Sequence, residues 1–272
     1  DWSWSRGLGD VYKRQILQSL LDITMSKLSK LLNLFRRGKK ISCITAYDAS
    51  MSKYLECLGI DIILVGDSLG QVIKGEKTTH GVTLDEMTYH TRCVKSGLKN
   101  SILMVDLPKN SYNTKSKAYK NSQKFISTKL ADLIKIEIDT DNIDIAKYLI
   151  EKNIPLCAHI GLLPQTIKSK SGYRKYGKSK DESKKLHDLA VSLDKLGAQV
   201  ILIECLENTL AKKICQNCNA PVIGIGSGSG IDGQVAVIYD LLGISFNKID
   251  EFITNDKIPL DEQITKFLKK LK

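Results

Sequence analysis

The sequence lacks an apolar run of the length that crosses a membrane, about 18 to 20 residues, and it lacks a recognisable export signal. The apolar segment over residues 16–25 does not show the order of basic region, apolar core and small-residue cleavage site that defines a secretory signal. Nothing in the chain directs it outward. We therefore expect a cytoplasmic protein without a membrane partner.

Aromatic residues are also scarce, at 6% of the chain, although the formal net charge is +11. A basic RNA-binding protein would need basic and aromatic side chains interleaved on one surface. Here 35 Lys and 6 Arg are spread through segments with helical periodicity. We expect no nucleic-acid partner and keep RNA binding as the alternative from another functional class.

The cysteines do not form a complete metal or disulfide pattern. Their number is odd, and several lie in apolar runs where a thiol packs as a small hydrophobe, which favours a reducing compartment. Cys215 and Cys218 have the spacing of half a zinc site, but no second such pair and no nearby His completes it. We interpret that pair as structural. The seven are Cys43, Cys57, Cys93, Cys157, Cys205, Cys215 and Cys218.

Short β-branched runs alternate with longer helical patterns from residue 41 onward, which indicates repeated βα units around a parallel sheet. The length of 272 residues suits one barrel domain of about 250 residues. We predict strands at 41–46, 62–65, 102–105, 133–136, 155–158, 200–203 and 221–225, with a weak eighth between 233 and 244.

The helical patterns fall between these strands, at 48–58, 84–98, 115–130, 142–152, 181–196 and 207–217. An open doubly wound sheet would more often have a Gly-rich turn after its first strand, and none is present. We therefore predict an α/β fold, a single (β/α)₈ TIM barrel over residues 25–272, beginning with an amphipathic helix. Residues 1–24 are interpreted as a non-native or disordered leader.

Ionisable residues stand at the ends of five consecutive predicted strands. They are Asp67, Asp106, Glu137, His159 and Glu204. One such residue could simply cap the next helix, but five in succession indicate a site at the C-terminal mouth, where barrel enzymes hold their chemistry. Lys135 and Glu137 are two residues apart in one strand, so both should point toward the barrel axis.

The carboxylates of Asp67, Asp106 and Glu137 predict a site for a hard cation, because Mg²⁺ prefers oxygen ligands and keeps water or substrate oxygens as well. Such a cation can accept the carboxylate and keto oxygens of a 2-oxo acid and stabilise an enolate. Lys135 would balance the negative charge of the substrate.

Glu204 is the candidate general base. It lies between apolar Ile203 and Cys205, and such surroundings raise the pKa of a carboxylate toward the range that a base needs. The alternative is a buried Glu paired with a lysine. His159 is the other candidate base at the strand ends.

Two loops remain open to interpretation. The Gly-rich stretch over residues 222–233 could cradle phosphate or pass close to a substrate. The insertion from Lys168 to Lys185 is basic, and we expect it to close over the site and attract an anionic part of a substrate. A solvated loop is the alternative.

The motifs together resemble those of the ketopantoate hydroxymethyltransferase family. They are ITAYD at 44–48, VGDSLG at 65–70, VDLP at 105–108, KIE at 135–137, AHIGLLPQ at 158–165, IECL at 203–206 and VIGIGSG at 222–228, followed by DGQ. The resemblance extends from about Ser29 to Ile244 and agrees in order and spacing.

This resemblance implies an Mg²⁺-dependent barrel of the phosphoenolpyruvate/pyruvate superfamily, acting in pantothenate synthesis as a homodecamer. The implied substrates are 3-methyl-2-oxobutanoate and 5,10-methylenetetrahydrofolate. Asp67 and Asp106 resemble the metal ligands, with Glu137 as the third carboxylate. The substrate contacts are Asp67, Ser68, Asp106, Lys135 and His159, and Glu204 resembles the proton acceptor.

Three positions depart from the family pattern, and none is a proposed catalytic residue. Ala158 replaces a usual Gly, Tyr239 replaces a usual His, and the loop over residues 171–177 differs. An alternative within the superfamily is an Mg²⁺-dependent 2-oxo acid carbon–carbon lyase. Such a lyase would more often present a loop cysteine.

Overall fold

Eight parallel strands form a closed barrel in the computed structural model, which describes residues 27–167 and 173–247. Each strand pairs with the next along the chain, and the last pairs with the first. The strands are β1 Ile41–Thr45, β2 Ile62–Val65, β3 Ile102–Asp106, β4 Leu133–Glu137, β5 Leu156–Gly161, β6 Val200–Glu204, β7 Val222–Ile225 and β8 Gly233–Ala236. The predicted (β/α)₈ barrel is confirmed, including its weak eighth strand.

Helices cover the outside of the barrel, and all but the one-turn helices α3 and α9 lie where the sequence predicted them. They are α1 at 27–36, α2 Ala49–Cys57, α3 Leu69–Val72, α4 Leu84–Gly97, α5 Lys115–Ile126, α6 Ile143–Glu151, α7 Lys180–Leu196, α8 Asn208–Asn217 and α9 Ile238–Leu241. Side chains of Asp48, Thr83, Thr114 and Ser179 cap the starts of four of them. The interpreted leader, residues 1–24, lies outside the described residues.

Alternating residues of each strand separate two apolar clusters. Leu133 belongs to the cluster inside the barrel, whereas Ile134 and Ile136 pack between the barrel and its helices. Because side chains alternate along a strand, Lys135 and Glu137 point inward, as expected. The interior is therefore apolar at its base and charged at its C-terminal end.

Helix α1 closes the opposite, N-terminal end. Leu28 and Leu31 are 3% and 2% exposed and join the interior cluster. Lys27 Nζ donates to the Ser101 carbonyl at 3.0 Å and contacts Asp132 Oδ2 at 3.1 Å. The C-terminal mouth is thus left as the end of the barrel that can admit a small molecule.

The cysteine and membrane predictions can be compared with the same part of the chain. All seven cysteines are free thiols, and Cys218 follows the last residue of α8. Burial raises the pKa of Cys215 and of Cys218 to about 12, as expected of packed thiols. Within residues 27–167 and 173–247, no helix is long and apolar enough to cross a membrane.

Candidate active site

A cavity of about 160 Å³ lies at the C-terminal mouth of the barrel. Its charged lining includes four side chains predicted from the strand ends, namely Asp67, Asp106, Lys135 and Glu204, with Ser68 beside them, and also Asp240 of α9. Leu202, Ile225 and Val235 contribute apolar surface. The cavity therefore combines four carboxylates and one ammonium group with an apolar wall.

Asp106 and Lys135 form a buried pair on neighbouring strands. They are register partners of β3 and β4, and Lys135 Nζ donates to Asp106 Oδ2. Burial raises the pKa of Asp106 to about 8, although Lys135 opposes this shift. Burial alone would lower the pKa of Lys135, but the carboxylates of Asp106, Asp67 and Glu137 raise it. Lys135 is accordingly a permanent cation.

Two carboxylate oxygens, one in this pair and one on Asp67, have no hydrogen-bond partner in the part of the chain that the structure describes. They are Asp106 Oδ1 and Asp67 Oδ2, on side chains of residues only 0% and 6% exposed. Buried polar atoms normally have a partner, and Mg²⁺ is commonly held by one or two carboxylates together with water and substrate oxygens. The donor set therefore fits a hard divalent cation.

Glu137 lies behind this pair and does not line the cavity. It is 1% exposed, and its two carboxylate oxygens accept from the Gln165 backbone N–H at 3.1 and 3.2 Å. Burial raises its pKa well above the usual range, and the charge of Asp67 adds to the shift. Among the described residues, no three His, Cys, Asp or Glu side chains are arranged to hold a metal directly. Glu137 therefore lies next to the Asp67 and Asp106 carboxylates but not on the cavity surface.

Gln165 is a site residue to which the sequence interpretation gave no role. Its side chain accepts from Tyr112 Oη at 2.8 Å and donates to the Leu107 carbonyl at 3.0 Å. Together with its backbone contact to Glu137, these bonds link the loops after β3 and β5. The signal available in the sequence was a polar residue closing an apolar run at the end of AHIGLLPQ.

Glu204 and His159 are in contact, at different depths. His159 Nε2 lies 3.2 Å from Glu204 Oε2, but neither ring nitrogen has a well-aligned hydrogen bond. Burial lowers the pKa of His159 well below its usual value, and Lys135 lowers it further. His159 is therefore neutral, and the contact is not an ion pair.

His159 does not line the cavity, although we expected it to contact the substrate. In the barrel register Glu204 is paired with Gly161, whereas His159 is paired with Leu202, one inward step deeper. His159 is 1% exposed, while the Glu204 side chain is 18% exposed. The His159 ring therefore lies off the cavity surface and is in contact with Glu204, which lines the cavity.

Ser68 is held at the start of α3, a one-turn helix that the sequence pattern did not predict. Its Oγ lies 2.8 Å from Tyr47 Oη, and the Tyr47 carbonyl accepts from His90 Nδ1 at 2.7 Å. Tyr47 comes from the ITAYD motif after β1. These contacts fix the Ser68 hydroxyl at the cavity wall.

The Gly-rich turn after β7 packs against its neighbours. A Cβ at Gly228, whose φ is +87°, would come within 2.5 Å of Asn208 Oδ1. A Cβ at Gly224 would come within 2.7 Å of the Ile203 carbonyl. Neither glycine lines the cavity. Close packing against β6 and α8 accounts for both glycines without a phosphate.

The basic insertion is described from residue 173 onward, and its first part, residues 168–172, lies outside the described residues. Tyr173 lines the cavity. Lys175 Nζ donates to the Gly226 carbonyl, and Arg174 pairs with Glu182 at 2.5 Å. Arg174 and Lys175 of this basic insertion therefore anchor the loop, whereas Lys178 is exposed.

Comparison with solved structures defines the class of fold. A phosphoenolpyruvate phosphomutase from Streptomyces platensis aligns with a TM-score of 0.63 at 12% identity, covering 90% of this chain and 88% of that one. A 2,3-dimethylmalate lyase of the PEP mutase/isocitrate lyase superfamily aligns with a TM-score of 0.59 at 13% identity, covering 90% and 85%. At such identities the likeness shows a shared barrel fold and no more.

Sequence comparison identifies the family. The family model described as ketopantoate hydroxymethyltransferase matches residues 25–269. A 3-methyl-2-oxobutanoate hydroxymethyltransferase of Vibrio cholerae serotype O1 is 42% identical over 220 residues, which covers 81% of this chain and 83% of that protein. One from Shewanella sediminis is 40% identical over 233 residues, covering 85% and 88%. The chain belongs to the ketopantoate hydroxymethyltransferase family, which confirms the resemblance.

Proposed function

We propose that this protein transfers a hydroxymethyl group from 5,10-methylenetetrahydrofolate to 3-methyl-2-oxobutanoate and so forms 2-dehydropantoate for pantothenate synthesis. The observation that carries the proposal is one cavity containing two unpartnered carboxylate oxygens, a buried ammonium group and a separate, partly exposed carboxylate. Family membership and the names of the relatives support the same reaction.

In this proposal Asp67 and Asp106 hold Mg²⁺ through the oxygens that lack a protein partner, and Glu137 supports the ion through water. When bound, the cation polarises the keto group of a 2-oxo acid and neutralises developing negative charge. The Lys135 ammonium group compensates the substrate carboxylate, and Ser68 offers a hydroxyl at the cavity wall. The substrate is thereby oriented with its reactive carbon away from the metal ligands.

Glu204 then removes the proton from C3 of 3-methyl-2-oxobutanoate. Its carboxylate lines the same cavity and is separate from the Asp67 and Asp106 pair. Water opens the methylene bridge of the folate, which releases tetrahydrofolate and a one-carbon unit at the oxidation level of formaldehyde. The enolate carbon adds to that carbonyl carbon, and the proton held by Glu204 passes to the new alkoxide, which becomes the hydroxyl of the product. His159, held neutral beneath Glu204, orients that carboxylate and does not itself carry a charge.

The alternative reaction is cleavage of a carbon–carbon bond in a 2-oxo acid derivative, as in the lyase of similar fold. It could use the same metal carboxylates. Within the described part of the chain no cysteine lines the cavity, so a loop thiol of the kind expected in such a lyase is not at the site. The available residues favour the transfer reaction.

Cellular setting and assembly are further parts of the proposal. Seven free thiols suit the reducing cytoplasm. Exposed Tyr54, Leu58 and Tyr89, each at 60% or more, offer apolar surface on α2 and α4 for contacts between copies of the chain. We propose a homo-oligomer, a decamer by family resemblance, and analytical ultracentrifugation measures its size.

The direct test is product formation from 3-methyl-2-oxobutanoate and 5,10-methylenetetrahydrofolate, followed by NMR with and without Mg²⁺. We expect 2-dehydropantoate and tetrahydrofolate in equal amounts, abolition by a chelator and recovery when Mg²⁺ is restored. A nucleic-acid shift assay run in parallel tests the RNA-binding alternative. Absence of product with Mg²⁺ present would contradict the proposed function.

A further inference from the structure

Thr79 presents a buried hydroxyl that none of the roles above uses. The residue is 3% exposed and lines the same cavity as Asp67 and Lys135. Its Oγ1 is buried and has no hydrogen-bond partner among the described residues. An unpaired buried hydroxyl is costly and uncommon, so its position at a cavity wall points to a partner supplied by a ligand.

The backbone around Thr79 is fixed by contacts with two other loops. The adjacent His80 donates from Nε2 to the Pro164 carbonyl at 3.0 Å, which leaves Nδ1 to accept from Lys109 Nζ at 3.3 Å. Pro164 itself lines the cavity, and Lys109 lies in the loop after β3. His80 is therefore a positioning residue that ties the segment carrying Thr79 to the loops after β3 and β5.

The location of the Thr79 hydroxyl indicates which of the two substrates it can contact. Thr79 Oγ1 is on an inner wall without solvent exposure, and the cavity of about 160 Å³ has room for a molecule of about ten non-hydrogen atoms. A small 2-oxo acid fits inside such a space, whereas most of a folate must remain outside it. The group that reaches Thr79 is then an oxygen of the 2-oxo acid.

We propose that the Thr79 hydroxyl donates a hydrogen bond to an oxygen of the bound 2-oxo acid. This inference rests on the proposed function, because it takes the identity of the small substrate from there. Thr79 is a binding residue in addition to Asp67, Ser68, Asp106 and Lys135. It lies in the loop between α3 and α4. This loop does not follow the end of a strand directly, so the strand pattern did not mark it as part of a site.

The test is calorimetric binding of 3-methyl-2-oxobutanoate to the full chain in Mg²⁺ without folate. Thr79→Val keeps the shape but removes the hydroxyl and should weaken binding about tenfold, the effect of one hydrogen bond to a charged group. Thr79→Ser should bind nearly as wild type. Thr209→Val, at an exposed position on α8 that does not line the cavity, is the control and should leave the affinity unchanged.

Thermal unfolding of the ligand-free variants separates binding from structure. Because Oγ1 has no partner in the described part of the chain, Thr79→Val should not lower Tm. A lowered Tm, unchanged affinity for the 2-oxo acid, or an effect confined to the KM for folate would each overturn the inference. Failure of the wild-type protein to bind the 2-oxo acid would instead overturn the proposed function, and this inference with it.

Discussion

At the scale of single residues, the site depends on which buried oxygens already have partners. Lys135 donates a hydrogen bond to Asp106 Oδ2, and the Gln165 backbone N–H donates to Glu137. Among the described residues, Asp67 and Asp106 each keep one buried oxygen without a hydrogen bond. These two oxygens are the proposed cation ligands, and the hydrogen-bonded oxygens hold the side chains in place. Substitutions at the two aspartates should therefore have different effects on thermal stability but the same effect on substrate binding.

Replacing either aspartate by Asn should abolish Mg²⁺-dependent binding of 3-methyl-2-oxobutanoate, since each change removes a charged oxygen ligand. At pH 9, above the raised pKa of Asp106, Asp106→Asn should also lower Tm more than Asp67→Asn, because it leaves Lys135 without its paired charge in a buried site, which typically costs about 3 to 5 kcal/mol. Calorimetry and thermal melts measure the two effects. Asp141→Asn, at an exposed position after β4, is the control. Near wild-type chelation by either variant would show that its assignment is wrong.

At the scale of elements, α1 covers the N-terminal end of the barrel, whereas the described part of the loop after β5 borders the C-terminal mouth. Helix α1 inserts Leu28 and Leu31 into the interior cluster. The loop after β5 is fastened to the mouth through polar contacts, including a bridge between Tyr176 and Leu206. The first element should therefore determine stability and the second should determine substrate affinity.

Leu31→Ala should lower the free energy of unfolding by about 2 to 4 kcal/mol, because truncating a buried leucine removes apolar contacts and leaves a cavity. Ser29→Ala, on the exposed face of the same helix, should change it by less than about 0.5 kcal/mol. Denaturant titration of both variants supplies the comparison. Equal stability of the two variants would mean that α1 does not complete the core.

Two lysines of the loop after β5 should affect folate binding in different ways: Lys178 by attracting the anionic folate and Lys175 by anchoring the loop. Lys178→Gln should raise the KM for folate at low salt and lose this effect near 0.5 M salt, because exposed charges are screened over about 4 to 5 Å at that concentration. Lys175→Gln should raise the KM at both salt concentrations, since it removes the bond to the Gly226 carbonyl. Lys184→Gln, paired with Asp188 on α7, is the control. An unchanged KM for Lys178→Gln at low salt would show that Lys178 does not attract the folate.

At the scale of the whole molecule, strand periodicity predicted the barrel and most of its charged mouth. Strand ends such as Asp106 and Glu204 were predictable because parallel strands bring their C-terminal ends to one face. The depth of His159 depends on the register between β5 and β6, which no local pattern reports. Gln165 and Thr79 lie in loops without a hydrophobic period, so the sequence pattern could not identify them as site residues. Their positions in the three-dimensional structure do so.

The central claim is that Glu204 removes the C3 proton of 3-methyl-2-oxobutanoate at a site where Asp67 and Asp106 are committed to the cation and Lys135 is cationic. Gln keeps the size of Glu but cannot accept a proton, and loss of a general base typically costs about 10² to 10⁴ in rate. Substrate affinity should change little. Glu207→Gln, at the start of α8, provides a control of the same chemistry in a neighbouring position.

Exchange of the C3 proton with D₂O, followed by NMR in Mg²⁺ without folate, isolates this step from the transfer that follows it. The wild-type protein and Glu207→Gln should exchange at the same rate, and Glu204→Gln should be slower by about 10² to 10⁴. Exchange by Glu204→Gln at the wild-type rate would contradict the account.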